Sequence, residues 1–467
     1  MVLIVAVMPM ARAIWLSAAS PAGVAFLASS AAPGVTALLV SALWAGALLL
    51  GRERGPVVRA PFLTHALAVS DQPRSATFRG PLLRAGAQVT GATMIIAALV
   101  AGSLVNGGLA DPFEAALFVV AGGLTGIVAT VAWLAGQALP RAALPIALGL
   151  LVLGAATAVV PVTYAFAPWG WVGLLYPTAG SPHVLVLFTA LCVALVAAVP
   201  TLMSRLGIVG LVTQALRWDA ATTRARGMDF SGATELYRTR PHVGRRIRAV
   251  RSTGHMSLMF LRRDAIGAAR TPGRLAAGIL TLAAAGALIA LASVPTVPGW
   301  LLGGVAGLFV FAGLGPLTDG IRHAVSIASD LPLYGISDGH LLVQHALFPL
   351  GVVVVVLLAA ATVAAIVVGI PAVASIVGAL AVGLLGLVIR IGGAVKGMLP
   401  PALLAPMPTP MGDPSAAVRL VWALDGVLLA ASAGAAAAIA FESPLWLAVV
   451  AATAGAIVIR RWRRRRL

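Results

Sequence analysis

A typical soluble domain carries about 25% charged residues, but only 10% of these 467 residues are charged and 60% are hydrophobic. The mean hydropathy of +1.02 and apolar blocks of about 20 residues, the length that crosses a bilayer core, exclude a soluble globular protein. The net charge of +18 does not point to nucleic acid, because the arginines lie between apolar blocks, where the positive-inside rule places them, and the charged segments lack aromatic platforms for stacking bases.

Twelve candidate spans follow in chain order, at about 13–30, 35–50, 85–107, 115–135, 142–161, 185–204, 275–294, 299–318, 347–369, 371–390, 419–440 and 443–460. The first is read as a span rather than a cleaved leader, since no basic segment precedes its apolar run and the first charge is Arg12. Alternate loops, starting with the segment around Arg12, hold all 32 Lys and Arg residues, while the intervening loops hold none and carry Asp111, Glu114 and Glu442. The membrane potential and the anionic inner leaflet favour arginine on the cytoplasmic side. Both termini are therefore expected in the cytoplasm of a multi-pass plasma-membrane protein. Trp15, Trp133, Trp300, Trp422, Trp446 and Trp462 fall near span ends, as interfacial belts require. One lysine, Lys396, among 32 basic residues, together with abundant alanine, fits a GC-rich bacterial genome.

The punctuation repeats. In each half a basic segment, ending at Arg12 or at Arg274, leads into two spans joined by a tight outer turn. A cytoplasmic loop follows, 51–84 or 319–346, and then four more spans. Six spans per half is an even number, so the halves are expected as parallel repeats about an axis along the membrane normal. The expected architecture is all-α, a polytopic transmembrane bundle of about 12 spans. Its parts are a first half at 1–204, a basic cytoplasmic linker at 205–274 and a second half with a basic tail at 275–467. The linker holds fourteen arginines against Asp219, Asp229, Glu235 and Asp264, and its segments 208–226 and 244–270 suit amphipathic helices lying on the inner leaflet. A proline-rich stretch at 390–418 reads as an extended linker.

Several kinds of chemistry are missing. The single lysine has no Gly-x-x-x-x-Gly-Lys-Ser/Thr context, so the chain has no Walker-type phosphate loop of its own, and His-Glu-x-x-His and Gly-x-Ser-x-Gly are also missing. Cys192 is the only cysteine, which leaves no thiolate metal site. His323, His340 and His345 share one loop at spacings that do not match a helical metal pair. Asp425 is the clear intramembrane charge, and such residues are costly in lipid. It reads either as the lining of a translocation path or as a packing residue paired with an arginine or hydroxyl near the inner interface. The outer stretch 162–184 has no acidic or basic residue other than His183, is rich in aromatics and is broken by Pro168, Gly170 and Pro177, which suits a re-entrant or interfacial hairpin.

The loops between the second and third spans carry the strongest pattern. Each holds a Ser-Asp pair, Ser70-Asp71 and Ser337-Asp338, opening a short amphipathic stretch, as a helix cap would. A short capped helix parallel to the membrane offers a docking surface for a cytosolic partner.

This arrangement resembles the membrane subunits of ABC-2-type ABC exporters. The likeness rests on Ser70-Asp71-Gln72-Pro73-Arg74, on Asp330-Leu331-Pro332 through Asp338-Gly339-His340, and on the run from Arg262 to Arg270-Thr271-Pro272-Gly273-Arg274 before a first span. It implies that cytosolic ABC ATPase subunits, two copies per transporter, dock on both loops through Asp71, Pro73, Arg74, Arg79, Asp338, His340 and His345. ATP and Mg would then be bound by the partner, with no cofactor on this chain. The substrate would be hydrophobic or amphipathic, and the chain would be no enzyme itself. An outer re-entrant segment is expected in the first half only. The alternatives are a secondary transporter using Asp425 and a membrane-embedded lipid-linked glycosyltransferase, for which Asp111 and Glu114 are the earliest outer carboxylates.

Overall fold

The computed structural model describes residues 2–238, 241, 243–244, 246–247, 249, 254–295, 297–328, 335–397, 399–400, 403, 405 and 415–465. Every regular element among them is helical. Among the described residues, nine helices are long and apolar enough to cross a membrane, ten if a pair bent by 65°, Gly299–Leu314 and Asp319–Ile327, forms one span. The chain is a multi-pass helical membrane protein. Two of the twelve predicted segments fall outside that set. Ala143–Val159 has only 17 residues, and 13–30 is divided at Ser20-Pro21, where Ser20 accepts from the Gly23 N–H and starts a new helix.

The described chain forms two compact units, one of Ile4–Gly227 with Ser231–Tyr237, the other of Met1–Leu3, Met228–Phe230 and Arg238–Leu467. The segment expected as a separate linker is shared out between them.

In the first unit the helices are α1 Val2–Ala18, α2 Pro21–Leu27, α3 Ala32–Glu53, α4 Pro61–Val69, α5 Arg74–Thr77, α6 Arg79–Asn106 and α7 Pro112–Ala138. Then come α8 Ala143–Val159, a 3-10 turn at Pro161–Phe166, α9 Pro168–Leu174, α10 Val184–Ala197, α11 Val199–Ser204 and α12 Ile208–Arg226, with α13 at Phe230–Glu235. Prolines sit in the first turns of α2, α4, α7 and α9, where the missing N–H would have no helical partner. Between helices in lipid the hydrophobic drive is weak, so packing depends on small residues that let backbones approach. Gly51 of α3 lies against the Trp133 carbonyl of α7, and Gly136 of α7 lies against the Leu48 carbonyl of α3. A Cβ at either would overlap the facing backbone. On this base α3 packs against α7, α8 and α9, α6 packs against α7, and α10 and α11 pack against α7. The short α9 buries Trp169, Gly170, Val172 and Gly173, while the turn before it exposes Val162 and Phe166. The uncharged outer stretch is thus wedged against α3.

In the second unit α14 is Met256–Ala269, α15 Pro272–Ala292, α16 Gly299–Leu314, α17 Asp319–Ile327, α18 Asp338–Val368, α19 Ala372–Val395, α20 Ser415–Ala438 and α21 Pro444–Arg465. Gly315-Pro316 separates α16 from α17 at the 65° bend. Gly369, at φ +75°, caps α18 in the left-handed region, and Pro371 follows. The α16 pair Gly303 and Gly307 lies against Ala430 and Gly434 of α20, a small-xxx-small seam on both sides. Here α16 packs against α15, α19 and α20, α15 against α18, α18 against α19, and α21 against α19. Val355, Val363, Ile366 and Val367 of α18 stay exposed, an apolar face suited to lipid.

The predicted linker segments become α12, which packs on α4 in the first unit, and α14, which packs on α15, α17 and α18 in the second. Thirteen of the 29 residues of the proline-rich stretch, including Pro401, Pro406, Pro408, Pro410 and Pro414, lie outside the described residues.

Gly434→Leu should lower stability by about 2–3 kcal/mol, because its first side-chain carbon would meet the Gly303 carbonyl and lie 2.6 Å from the Gly307 nitrogen. Gly455→Ala, with open space around it, should change little. Thermal unfolding midpoints in detergent compare the two.

Candidate functional site

The candidate sites are the short helices between the second and third long helices of each unit, taken unit by unit, together with the groups that fix them in place.

In the first unit the chain leaves α3 and is held at once. Gln137 of α7 donates to the Val57 carbonyl (3.2 Å) and accepts from the Val57 N–H (3.3 Å), and Phe78 is fully buried in a cluster with Leu134, Met203 and Leu211. Ser70 does not open a helix as predicted. Its hydroxyl donates to the Leu67 carbonyl at 2.8 Å and closes α4 instead. Arg74, predicted to face a partner, turns inward and donates to the carbonyls of Ser204 (3.2 Å) and Leu206 beyond the end of α11. Those carbonyls have no helical donor of their own, so a guanidinium suits them. Asp71, Pro73 and Arg79 are exposed and form the presented surface. Beside them Arg54 stacks on Trp218 at 3.2 Å and Arg217 pairs with Glu53 at 3.0 Å. Burial lowers the pKa of Arg54, with Tyr237 opposing, and burial raises that of Tyr237 against Arg54 and Arg217.

In the second unit α17 turns Ile321, Ala324 and Val325 inward. Its first residue, Asp319, takes Arg274 of α15 in a bidentate pair (2.6 and 3.2 Å), with Arg238 at 3.5 Å and Arg322 at 3.7 Å. Arg274 also donates to the Gly315 carbonyl at 3.2 Å. Asp330, Leu331 and Pro332, half of the predicted loop signature, lie outside the described residues. Ser337 caps α18 as its Ser-Asp pair predicts, accepting from the His340 N–H at 3.3 Å. Asp338 is half-buried in the first turn and His340 is exposed.

His345 is a correction. It is 1% exposed and therefore cannot meet a partner. Its Nδ1 lies 2.7 Å from Asp264 Oδ2, and its Nε2 lies 3.5 Å from Arg263. The ring donates to the carboxylate through Nδ1 and accepts from the guanidinium at Nε2. Phe260 packs edge-on at 4.9 Å, and the His323 ring stands 6.4 Å away. This polar knot joins α14, α17 and α18, and Gly320 makes room for it: a Cβ there would lie 2.6 Å from His345 Nδ1.

Asp425 lies between Lys396 (2.8 Å) and Arg461, with all three side chains no more than 20% exposed. Lys396 also donates to the Trp422 carbonyl, and Arg461 to the Gly392 carbonyl at 3.1 Å. Both carboxylate oxygens are engaged. Asp425 thus ties α20 to the ends of α19 and α21. Asp111 caps α7 by accepting from the Phe113 N–H at 2.7 Å. Among the described residues no group of three or more His, Cys, Asp or Glu side chains is placed to hold a metal ion.

Sequence reading missed Asp264, Arg263, Asp319, Gln137 and Gln214 as positioning groups. Only the Arg-Thr-Pro-Gly-Arg run hinted at Arg274. No known protein family, curated protein or solved structure matches this chain.

Two substitutions separate these roles. Gly320→Ala should destabilise the second unit by about 1–3 kcal/mol, read as a lower unfolding midpoint with Gly339→Ala, in open space, as the control. Asp425→Asn should cost about 3 kcal/mol by leaving two half-buried cations unpaired, and adding Lys396→Met should recover part of that loss in the same unfolding measurement.

Proposed function

We propose that this chain is the permease of an ABC-2-type exporter, moving a hydrophobic or amphipathic substrate across a bacterial plasma membrane under the power of separately encoded ATPase subunits. One observation carries the reading. In each unit a short helix, α4 or α17, links the second and third long helices, and polar contacts of it or its flanking residues hold it to other helices. An ATPase that moves against such a helix needs a stiff lever, because a loose loop would absorb the motion. The Gln137–Val57 and Arg74–Ser204 contacts stiffen the first platform. The Arg274–Asp319 and His345–Asp264 pairs stiffen the second.

The finer topology belongs to the same reading. Twelve spans result if the 16-residue α16, the 17-residue α8 and the broken α1–α2 pair each complete a crossing. The packing of α3 on α7 and α8 resembles that of α16 on α19 and α20, and α6–α7 resembles α18–α19, which supports two parallel six-span halves. The wedge α9 has no counterpart among the described residues of the second unit, so the halves are unequal. With the arginines inside, both termini are cytoplasmic, and two ATPase copies bring the ATP and Mg.

Docking falls to Asp71, Pro73, Arg79, Asp338 and His340, while Arg74 and His345 act by holding the platforms. The test is co-purification of an ATP-binding-cassette ATPase with the tagged full-length chain. Asp71→Lys with Arg79→Glu and His340→Glu should reduce the recovered ATPase by about tenfold without shifting the unfolding midpoint. Undiminished ATPase in that variant, or export that persists after ATP depletion, would refute the proposal.

A further inference from the structure

The first unit contains a cavity of about 250 Å³ that the platforms do not use. Its walls are the end of α3 with Arg52, the end of α7 with Gln137, and the start of α12 from Leu206 to Arg217. These are places where apolar spans give way to the basic segment, so the cavity opens at the membrane boundary on the arginine-bearing side.

The walls are built rather than incidental. Gln137, 8% exposed, donates to Gln214 Oε1 at 2.9 Å, and the Gly55 N–H donates to the same oxygen at 3.1 Å. The Gln214 amide nitrogen returns to the Gly51 and Arg52 carbonyls at 3.3 and 3.2 Å. This ring clamps α12 to the end of α3 and fixes the spacing of the two guanidiniums at the cavity, Arg52 and Arg217.

The charge is one-sided. None of the lining residues is a carboxylate. Glu53 stands outside the lining, 3.0 Å from Arg217 and 3.9 Å from Arg52, and one carboxylate neutralises only one of two arginines. The uncapped first turn of α12, with Gly207 and Gly210 in the wall, adds the partial positive charge of a helix start. Beside this cationic end, the 81%-exposed Val209 of the wall and its 36%-exposed neighbour Ile208 form an apolar shoulder, while Leu206 is buried.

We propose that this cavity is a binding site for an anionic phospholipid, its phosphate between Arg52 and Arg217 and its acyl chains along the Ile208–Val209 shoulder. Basic pockets between membrane helices suit such headgroups, and paired guanidiniums match phosphate oxygens. A free phosphate would use the same two arginines but would leave the shoulder bare. The assignment does not depend on the ATPase reading.

The test is native mass spectrometry of the full-length chain in neutral detergent, titrated with phosphatidylglycerol, with phosphatidylcholine, and with phosphatidylglycerol plus millimolar inorganic phosphate. The wild-type chain should retain one phosphatidylglycerol about tenfold more tightly than phosphatidylcholine, and phosphate should not displace it. Arg52→Gln with Arg217→Gln should weaken retention by about tenfold. Gly210→Phe should do the same while keeping every charge, and its Cβ would meet nothing within 4 Å, so it keeps the test decisive if the arginine variant misfolds. Arg463→Gln with Arg464→Gln in the tail should leave retention unchanged. Equal retention of both lipids, unaltered binding in Gly210→Phe, or displacement by inorganic phosphate would overturn the assignment.

Discussion

Lipid tails are as apolar as leucine, so burying leucine between two helices inside a bilayer gains little, and contact depends on how closely two backbones can approach. This chain meets that constraint with glycine and alanine placed where helices cross. Gly51 and Gly136 seat α3 on α7, and Gly303, Gly307 and Gly434 seat α16 on α20. The other packing follows from these two central pairs. The large apolar side chains are left free to face lipid, as those of α18 do.

Backbone polar groups impose the second demand. Helices that end on the basic side leave carbonyls without donors, and basic side chains supply them. Arg74 serves Ser204 and Leu206, Arg274 serves Gly315, Arg390 serves Phe311 at 2.7 Å, and Arg461 serves Gly392. The charges that set orientation therefore also close helix ends. Positive charge is favoured at a helix C-terminus for the same electrostatic reason. This dual use stiffens the connecting helices α4 and α17, which the proposed coupling requires.

The two units solve the same problem with different parts. In the first, α9 wedges against α3 on one side and the Gln137–Gln214 ring holds α12 on the other. In the second, α14 brings Asp264 and Arg263 to His345, and the Asp425 triad gathers α19, α20 and α21. The first helix of the basic linker belongs to one bundle and its last to the other.

The helical class, the membrane setting and most helix limits were legible in the residues alone, because span length and proline at helix starts are local properties. The cap at Ser337 was legible for the same reason. Its counterpart at Ser70 was not, because the same hydroxyl closes a helix as readily as it opens one, and the neighbouring chain decides. The direction of Arg74 and His345 was equally illegible. Both residue types suit a surface, yet their partners at Ser204 and Asp264 lie 130 and 81 positions away. Composition left Asp425 with two readings, and the convergence of Lys396 and Arg461 on it from other helices was not legible in the sequence. Periodicity and charge sort residues by solvent, but which polar groups meet depends on how helices cross, and that is settled only when the backbones pack.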